Sequence, residues 1–280
     1  MELTDRIIVI TGGGSGIGEA IAHAAHAEGA RHVVVADLHG EEARRVAADV
    51  QGTGVELDVR DEQGIADLVA RVEAEHGPID VFVSNAGIVS RGGLEESNES
   101  LQMMWEIHVM AHIYAARAVV PSMIARGEGY LVNVASAAGL LIQLGSLGYT
   151  ITKNAAVSLA DFLAVTHHEQ GIRVTVVCPQ AVSTNLLRNS PGDIDGDIGG
   201  VEESQVAAGD GVLTPEDVAR ETIDAIREER FLALPHPEVE RYMGNRGTDR
   251  ERWLGGMRKL QRALYPEGER PGDAMAPRED

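Results

Sequence analysis

The stretch Ile7 to Gly18, IIVITGGGSGIG, constrains the fold more than any other part of the chain. Ile7 to Ile10 is a short apolar, β-branched run, the pattern of a strand buried on both faces. Three glycines, Ser15, Gly16, Ile17 and Gly18 follow, and then an alanine-rich helical stretch. A strand that turns through glycines into a helix N-terminus makes a phosphate site. Gly12, Gly16 and Gly18 let the backbone turn tightly and bring its amides to a pyrophosphate, and the helix dipole favours the anion. Ser15 and Ile17 belong to the same turn. A second apolar run, His32 to Ala36, closes on Asp37, at the spacing from the glycines that a dinucleotide site requires of its ribose-binding carboxylate. Leu38 follows, and neither it nor the glycine loop carries a cation. This pattern predicts NAD rather than NADP, because a 2′-phosphate would face the carboxylate.

The rest of the chain alternates strand and helix patterns. A helix is expected from Gly16 to Glu28, stopped by Gly29, and another over Glu41 to Val50. A short strand covers Gly54 to Leu57. Asp61 caps a helix that runs to His76, and Gly77-Pro78 ends it. Strands follow at Ile79 to Val83, Tyr130 to Val134 and Ile172 to Cys178. Between them lie one long helix, Glu99 to Arg126, and a second over Tyr149 to Gln170. Thr214-Pro215-Glu216-Asp217 starts a helix that ends near Arg227. Phe231 to Leu234 reads as a seventh strand. A last helix is expected from Thr248, with Thr248 and Glu251 as a capping box. These βαβ units predict an α/β fold: a Rossmann-type doubly wound parallel sheet of about seven strands, helices on both faces, in a single domain over 1–265. The Gly- and Asp-rich segment 185–212 reads as a mobile substrate loop, and the tail 266–280 as disordered.

Composition narrows the function classes. The formal net charge is −20, which argues against nucleic-acid and anionic-membrane partners. Leu131 to Thr152 carries no charge, but its Asn133, Gln143, glycines and hydroxyl residues reject it as a membrane span. Cys178 is the single cysteine, so an intrachain disulfide is impossible and a reducing, cytoplasmic setting is expected. The N-terminus has no secretory pattern.

Three residues downstream suggest chemistry. Ser136 ends a strand, Tyr149 lies in the next helix, and Lys153 stands one turn after it, on the same face. A free tyrosine titrates near 10, and bringing it close to 7 needs about 4 kcal/mol of preference for phenolate. One ammonium at about 4 Å supplies roughly that at an effective dielectric near 20. Tyr149 is therefore a candidate general acid/base.

With these residues in place the chain resembles the short-chain dehydrogenase/reductase family. The matching stretches are TGGGSGIG at 11–18, Asp37, Asp58-Val59, SNAG at 84–87, Ser136, YTITK at 149–153 and CPQAVST at 178–184. The resemblance implies NAD(P)-dependent oxidation of an alcohol or reduction of a ketone. In that scheme Ser136 holds the substrate oxygen and Tyr149 moves its proton. Lys153 holds the nicotinamide ribose and lowers the Tyr149 pKa. Asp58 and Val59 flank the adenine; Asn85, Ala86 and Gly87 line the ribose. Pro179 sits in the turn beside the nicotinamide, and Val182 and Thr184 meet its carboxamide. Two positions depart from the family. His108 stands where the motif has an asparagine that relays protons through water to the lysine, and Gln180 replaces the glycine of a Pro-Gly pair. His108 is expected to stay neutral and to accept a bond from the relay water, or to replace that water.

Other readings remain open. The chain could be an NADP-type 3-oxoacyl ketoreductase, or a catalytically idle dinucleotide-binding scaffold. No metal is expected, since the pair His108 and His112 lacks a third ligand nearby in sequence. The substrate is a small molecule. Leu140, Leu141, Ile142, Leu144 and Leu147 suggest an apolar pocket for a bulky, cyclic or aromatic secondary alcohol. Trp253, Met257, Leu260 and Leu264 form one apolar helix stripe, expected in a core or an interface. The helices over 99–126 and 149–170 are apolar on several sides, which predicts a homo-oligomer, a dimer or tetramer.

Overall fold

A computed structural model describes residues 1–184, 186, 190 and 209–265. Most of the expected loop over 185–212, and the tail 266–280, lie outside the described residues. Seven parallel strands form one sheet in the order β3-β2-β1-β4-β5-β6-β7. They are β1 (Ile7–Thr11), β2 (His32–Asp37), β3 (Thr53–Glu56), β4 (Val81–Ser84), β5 (Gly129–Val134), β6 (Ile172–Val177) and β7 (Leu232–Ala233). The order reverses between β1 and β4, so a crevice opens beyond the C-terminal ends of these two strands, where open α/β sheets bind ligands.

Both faces of the sheet are buried, which is why the strands read as continuous apolar runs. Ile7, Val9, Val34 and Ala36 point to one core, with α3 (Glu62–Glu75), α5 (Ala111–Arg126) and α7 (Leu147–His167). Ile8, Ile10, Val33 and Val35 point to the other, with α1 (Gly16–Ala27), α2 (Gly40–Asp49) and α8 (Pro215–Arg227). Cys178 is buried in the first core and free.

Local signals set most element ends. Gly29 follows α1 at φ +82°, a conformation that favours glycine. Thr214 and Asp217 form a reciprocal capping box at α8, with Pro215 as its first helical residue. Asp61 is the N-cap residue of α3, but its side chain makes no capping bond.

Four expectations need correction. The helix expected over 99–126 is three pieces: α4 (Asn98–Trp105), a π-helical segment Glu106–Met110, and α5. A π turn inserts one residue without changing the apolar pattern enough to announce itself, and such turns occur often at functional sites. A short helix α6 (Ala137–Leu140) follows β5, with Ser136 as its N-cap. The Tyr149 helix starts two residues earlier than expected, at Leu147, and its end tightens into a 3₁₀ turn over His168–Gln170. At the C-terminus, Thr248 ends α9 (Glu238–Thr248) instead of starting a helix, and its hydroxyl donates back to the Gly244 carbonyl. Asp249 is the cap of α10 (Arg250–Leu264), accepting from the Arg252 amide at 2.9 Å.

Candidate active site

A cavity of about 590 Å³ lies at the crevice beyond β1 and β4. Every residue named above for cofactor binding or catalysis lines it, except Gly18 and His108. Gly12 and Gly16 adopt φ +62° and +56°, the left-handed region. A Cβ on Gly12 would meet the Ala86 backbone at 2.7 Å, so the glycine loop and the Asn85-Ala86-Gly87 turn pack without space for a side chain. Gly18 does not line the cavity but packs beneath the loop: a Cβ there would strike the Gly12 carbonyl. Asn85 locks the two loops together. Its Nδ2 donates to the carbonyls of Thr11 at 3.0 Å and Gly12 at 2.9 Å. Ser15 is the N-cap residue of α1, in an extended conformation. This bare backbone cradle at a helix N-terminus fits a pyrophosphate.

At the adenine end, the Asp37 carboxylate accepts from the amides of Gly14 and His39, each at 2.9 Å. Leu38 is exposed at the cavity edge. Asp58 is paired with Arg60 at 2.6 Å, which holds its carboxyl below the usual range, and Val59 is buried beside it. Sequence reasoning missed Arg60 and His39, which line the same end. It also missed Arg45, which reaches from α2 to the Gly14 carbonyl at 3.0 Å. Its charge is matched by Glu19 and Glu42, both at 2.8 Å.

At the other end, β5 delivers Ser136 and α7 delivers Tyr149 and Lys153. The Ser136 hydroxyl accepts from the Ala138 amide at 3.1 Å and donates to the Pro179 carbonyl at 3.4 Å. Lys153 is buried, donates to the Val134 carbonyl at 3.0 Å, and stands 5.7 Å from the Tyr149 ring centre. Burial lowers its pKa to about 8. The Tyr149 phenol is raised rather than lowered: burial dominates, and the Ser136 hydroxyl only partly offsets it. The Lys153 ammonium is turned to the Val134 carbonyl.

His108 lies in the π segment, fully buried. Its Nε2 accepts from the Ile88 amide at 3.1 Å, and its Nδ1 is 2.8 Å from the Thr152 hydroxyl. An accepting Nε2 places the ring proton on Nδ1, so Nδ1 donates to Thr152, whose hydroxyl donates to the Gly148 carbonyl at 2.8 Å. Burial and the Lys153 charge hold its pKa well below the ordinary value. Both nitrogens are thus committed, which leaves neither free for a relay water. This corrects the first of the two alternatives and does not bear on the ring taking that water's place. His112, one turn on, is buried with neither nitrogen bonded, and its pKa is pushed down to about 3. Among the described residues, no group of three or more His, Cys, Asp or Glu side chains could hold a metal ion.

A second cavity of about 510 Å³ adjoins the first. The two share the wall residues Ser136, Tyr149, Gln180, Val182, Thr184 and Leu186. Leu141, Ile142 and Leu144 line the second cavity; Leu140 and Leu147 do not. Trp253, Met257, Leu260 and Leu264 of α10 line it too. That stripe is therefore a cavity wall rather than core, and no residue of α10 is fully buried.

Known proteins resemble this chain over most of its length. The family model for short chain dehydrogenase matches residues 6–194. A 1-deoxy-11-beta-hydroxypentalenate dehydrogenase of Streptomyces exfoliatus is 32% identical over 248 residues, covering 85% of this chain and 86% of that protein. A meso-2,3-butanediol dehydrogenase of Serratia marcescens is 33% identical over 198 residues, covering 69% and 78%. The crystal structure of a short chain dehydrogenase/reductase from Burkholderia phymatum in complex with NAD superposes with a TM-score of 0.80 at 28% identity, covering 90% of this chain and 96% of that one. The chain belongs to the short-chain dehydrogenase/reductase family. It is an oxidoreductase of the kind that acts on hydroxyl groups.

Proposed function

We propose that this enzyme interconverts a bulky, apolar secondary alcohol and its ketone, with NAD as the hydride carrier. The observation that supports this most is the shared wall: Ser136 and Tyr149 face both cavities, one built for a dinucleotide and one lined by apolar side chains. Bound NAD would supply the hydride acceptor for the carbinol carbon. The chain's own residues handle the proton and the geometry. Ser136, fixed as the N-cap of α6, bonds the substrate oxygen. Tyr149 accepts the hydroxyl proton in oxidation and returns it in reduction. Lys153 holds the ribose and shares the phenolate charge. His108 is a positioning residue, tying the turn after β4 to the base of α7 through Ile88 and Thr152.

NAD is favoured over NADP by Asp37 at the ribose end, and Arg45 is already neutralised by two carboxylates. An NAD complex in the Burkholderia phymatum relative supports the same choice. The relatives' names, a hydroxypentalenate and a butanediol dehydrogenase, point to secondary hydroxyls, and the walls contributed by α10 favour a large apolar body. The same reading includes a homo-oligomer formed through α4 and α7, and a cytoplasmic setting. Formation of NADH from a panel of cyclic secondary alcohols tests the proposal.

A further inference from the structure

Two positions depart from the family pattern, His108 and Gln180, and Gln180 is the one on the wall that both cavities share. Of the six residues on that wall, Val182 and Leu186 are apolar. Ser136 and Tyr149 take the reacting oxygen. The Thr184 hydroxyl accepts from the Leu186 amide at 3.4 Å. Elsewhere in the substrate cavity, Ser146 donates to the Ser90 carbonyl, Ser90 donates to Glu96, and the Tyr242 hydroxyl donates to Asp210 at 3.0 Å. Gln180 differs. Its backbone is pinned on both sides: the preceding Pro179 carbonyl accepts from the Ala137 amide at 2.9 Å, and its own amide donates to His236 Nδ1 at 3.2 Å. Its side-chain Oε1 is shielded from water and has no hydrogen-bond partner.

A shielded amide oxygen without a donor is disfavoured relative to a bonded one. The terminal amide torsion is soft, so the oxygen can turn to a donor that enters the cavity. The donor's place on the substrate follows from the neighbourhood. Pro179, which precedes Gln180, carries the carbonyl that receives the Ser136 hydroxyl, so Gln180 flanks the serine that holds the reacting oxygen. We propose that Gln180 is a specificity-determining residue that accepts a hydrogen bond from a second hydroxyl beside the reacting carbinol, so that the preferred substrate is a vicinal diol in oxidation and an α-hydroxyketone in reduction. This rests on the alcohol–ketone reading above. In the oxidation, one carbinol C–H gives its hydride to NAD and its O–H proton to Tyr149; the second hydroxyl keeps its atoms and donates to Oε1.

The test compares cyclohexane-1,2-diol with 2-methoxycyclohexanol, which keeps the ring and the second oxygen but carries a methyl in place of the donor hydrogen. NADH formation gives kcat/KM for wild type and for Gln180→Met, and calorimetry gives the affinity of each compound for the NAD-saturated protein. The wild type is expected to favour the diol by about ten- to hundredfold, the range of one hydrogen bond left unmade in a closed site. In Gln180→Met the ratio should fall to within about twofold. A wild-type ratio near one overturns the inference, and needs no variant. So does a variant that keeps the wild-type ratio while its KM for NAD rises, because the amide would then serve the cofactor. The binding arm separates the two claims. A diol preference in binding with no NADH from either compound sinks the alcohol-oxidation reading and keeps the inference. NADH from both compounds at equal efficiency does the reverse.

Discussion

Tyr149, Lys153 and the two buried histidines show how burial sets the chemistry at the residue scale. Lys153 is pushed down to about 8 and Tyr149 up, so in the cofactor-free protein at neutral pH Tyr149 is the phenol and Lys153 is mostly charged. Oxidation needs the phenolate and reduction needs the phenol. The phenolate fraction grows with pH below the raised Tyr149 pKa, so alcohol oxidation should rise from pH 7 to 10 while ketone reduction, which needs the phenol, stays level over that range; parallel pH profiles for the two directions would contradict the assignment of Tyr149. His112 gives a stability prediction. Its folded pKa, about 3, lies below the unfolded value near 6.5. The folded state binds no proton there until the pH is well below 6.5, so the associated stability is complete above 6.5 and is lost as pH falls toward 3. His112→Leu removes two unbonded buried nitrogens and this titration. Urea unfolding should show the variant more stable at pH 7 by about 1–2 kcal/mol, with a shallower loss of stability in acid. Equal acid slopes in the two proteins would mean that His112 titrates alike in the folded and unfolded states.

At the scale of elements, α4 and α7 leave apolar side chains in solvent. Trp105 is 39% exposed, Ile151 51%, Phe162 62% and Val165 82%. Much of the rest of the apolar surface on the 98–126 stretch is accounted for within one chain, since Met104, Val109, Val119, Val120 and Met123 are buried. Those four are the most exposed large apolar side chains of the two helices, and Met110, Ile113 and Tyr114 of the 98–126 stretch are partly buried. Wild type should run as a dimer or tetramer by light scattering, and Phe162→Glu with Val165→Glu should shift it to smaller species. An unchanged mass in the double variant would place the contact elsewhere. This scale is also where sequence reading reached its limit. Glycines, caps and alternating apolar runs announce themselves through local backbone needs, and they placed β1, the glycine loop, α1 and α8. The π turn at Glu106–Met110 has no such signature, because inserting one residue in a helix demands no special residue. Thr248 was misread because a hydroxyl residue before an acidic one suits a helix start, whereas the adjacent Asp249 takes that role. The Trp253 stripe was visible as apolar, but which surface it faces depends on where two helices dock after β7.

For the whole molecule, the site is an intersection of distant segments. The glycine loop, Asp37, the Asn85 turn and the Tyr149 helix were legible because each carries a short motif whose chemistry depends on its spacing. Arg45, Arg60, Gln180's open acceptor and the committed state of His108 were not, because they are products of tertiary packing. Asp37 implies a preference of the assembled enzyme: each negative charge of a 2′-phosphate at about 4 Å from the carboxylate costs roughly 4 kcal/mol at an effective dielectric near 20. The kcat/KM with NAD should exceed that with NADP by at least a hundredfold, and equal values would contradict the ribose assignment.

The central claim is that Tyr149 transfers the substrate proton at the junction of the two cavities. Its most direct test is the rate of NADH formation from a cyclic secondary alcohol by wild type and Tyr149→Phe, with NAD affinity measured alongside. The phenylalanine keeps the ring and removes the transferable proton, so the account predicts a loss of at least about a hundredfold in kcat with NAD binding nearly unchanged. A variant that retains more than about a hundredth of wild-type turnover would show that the proton leaves by another group.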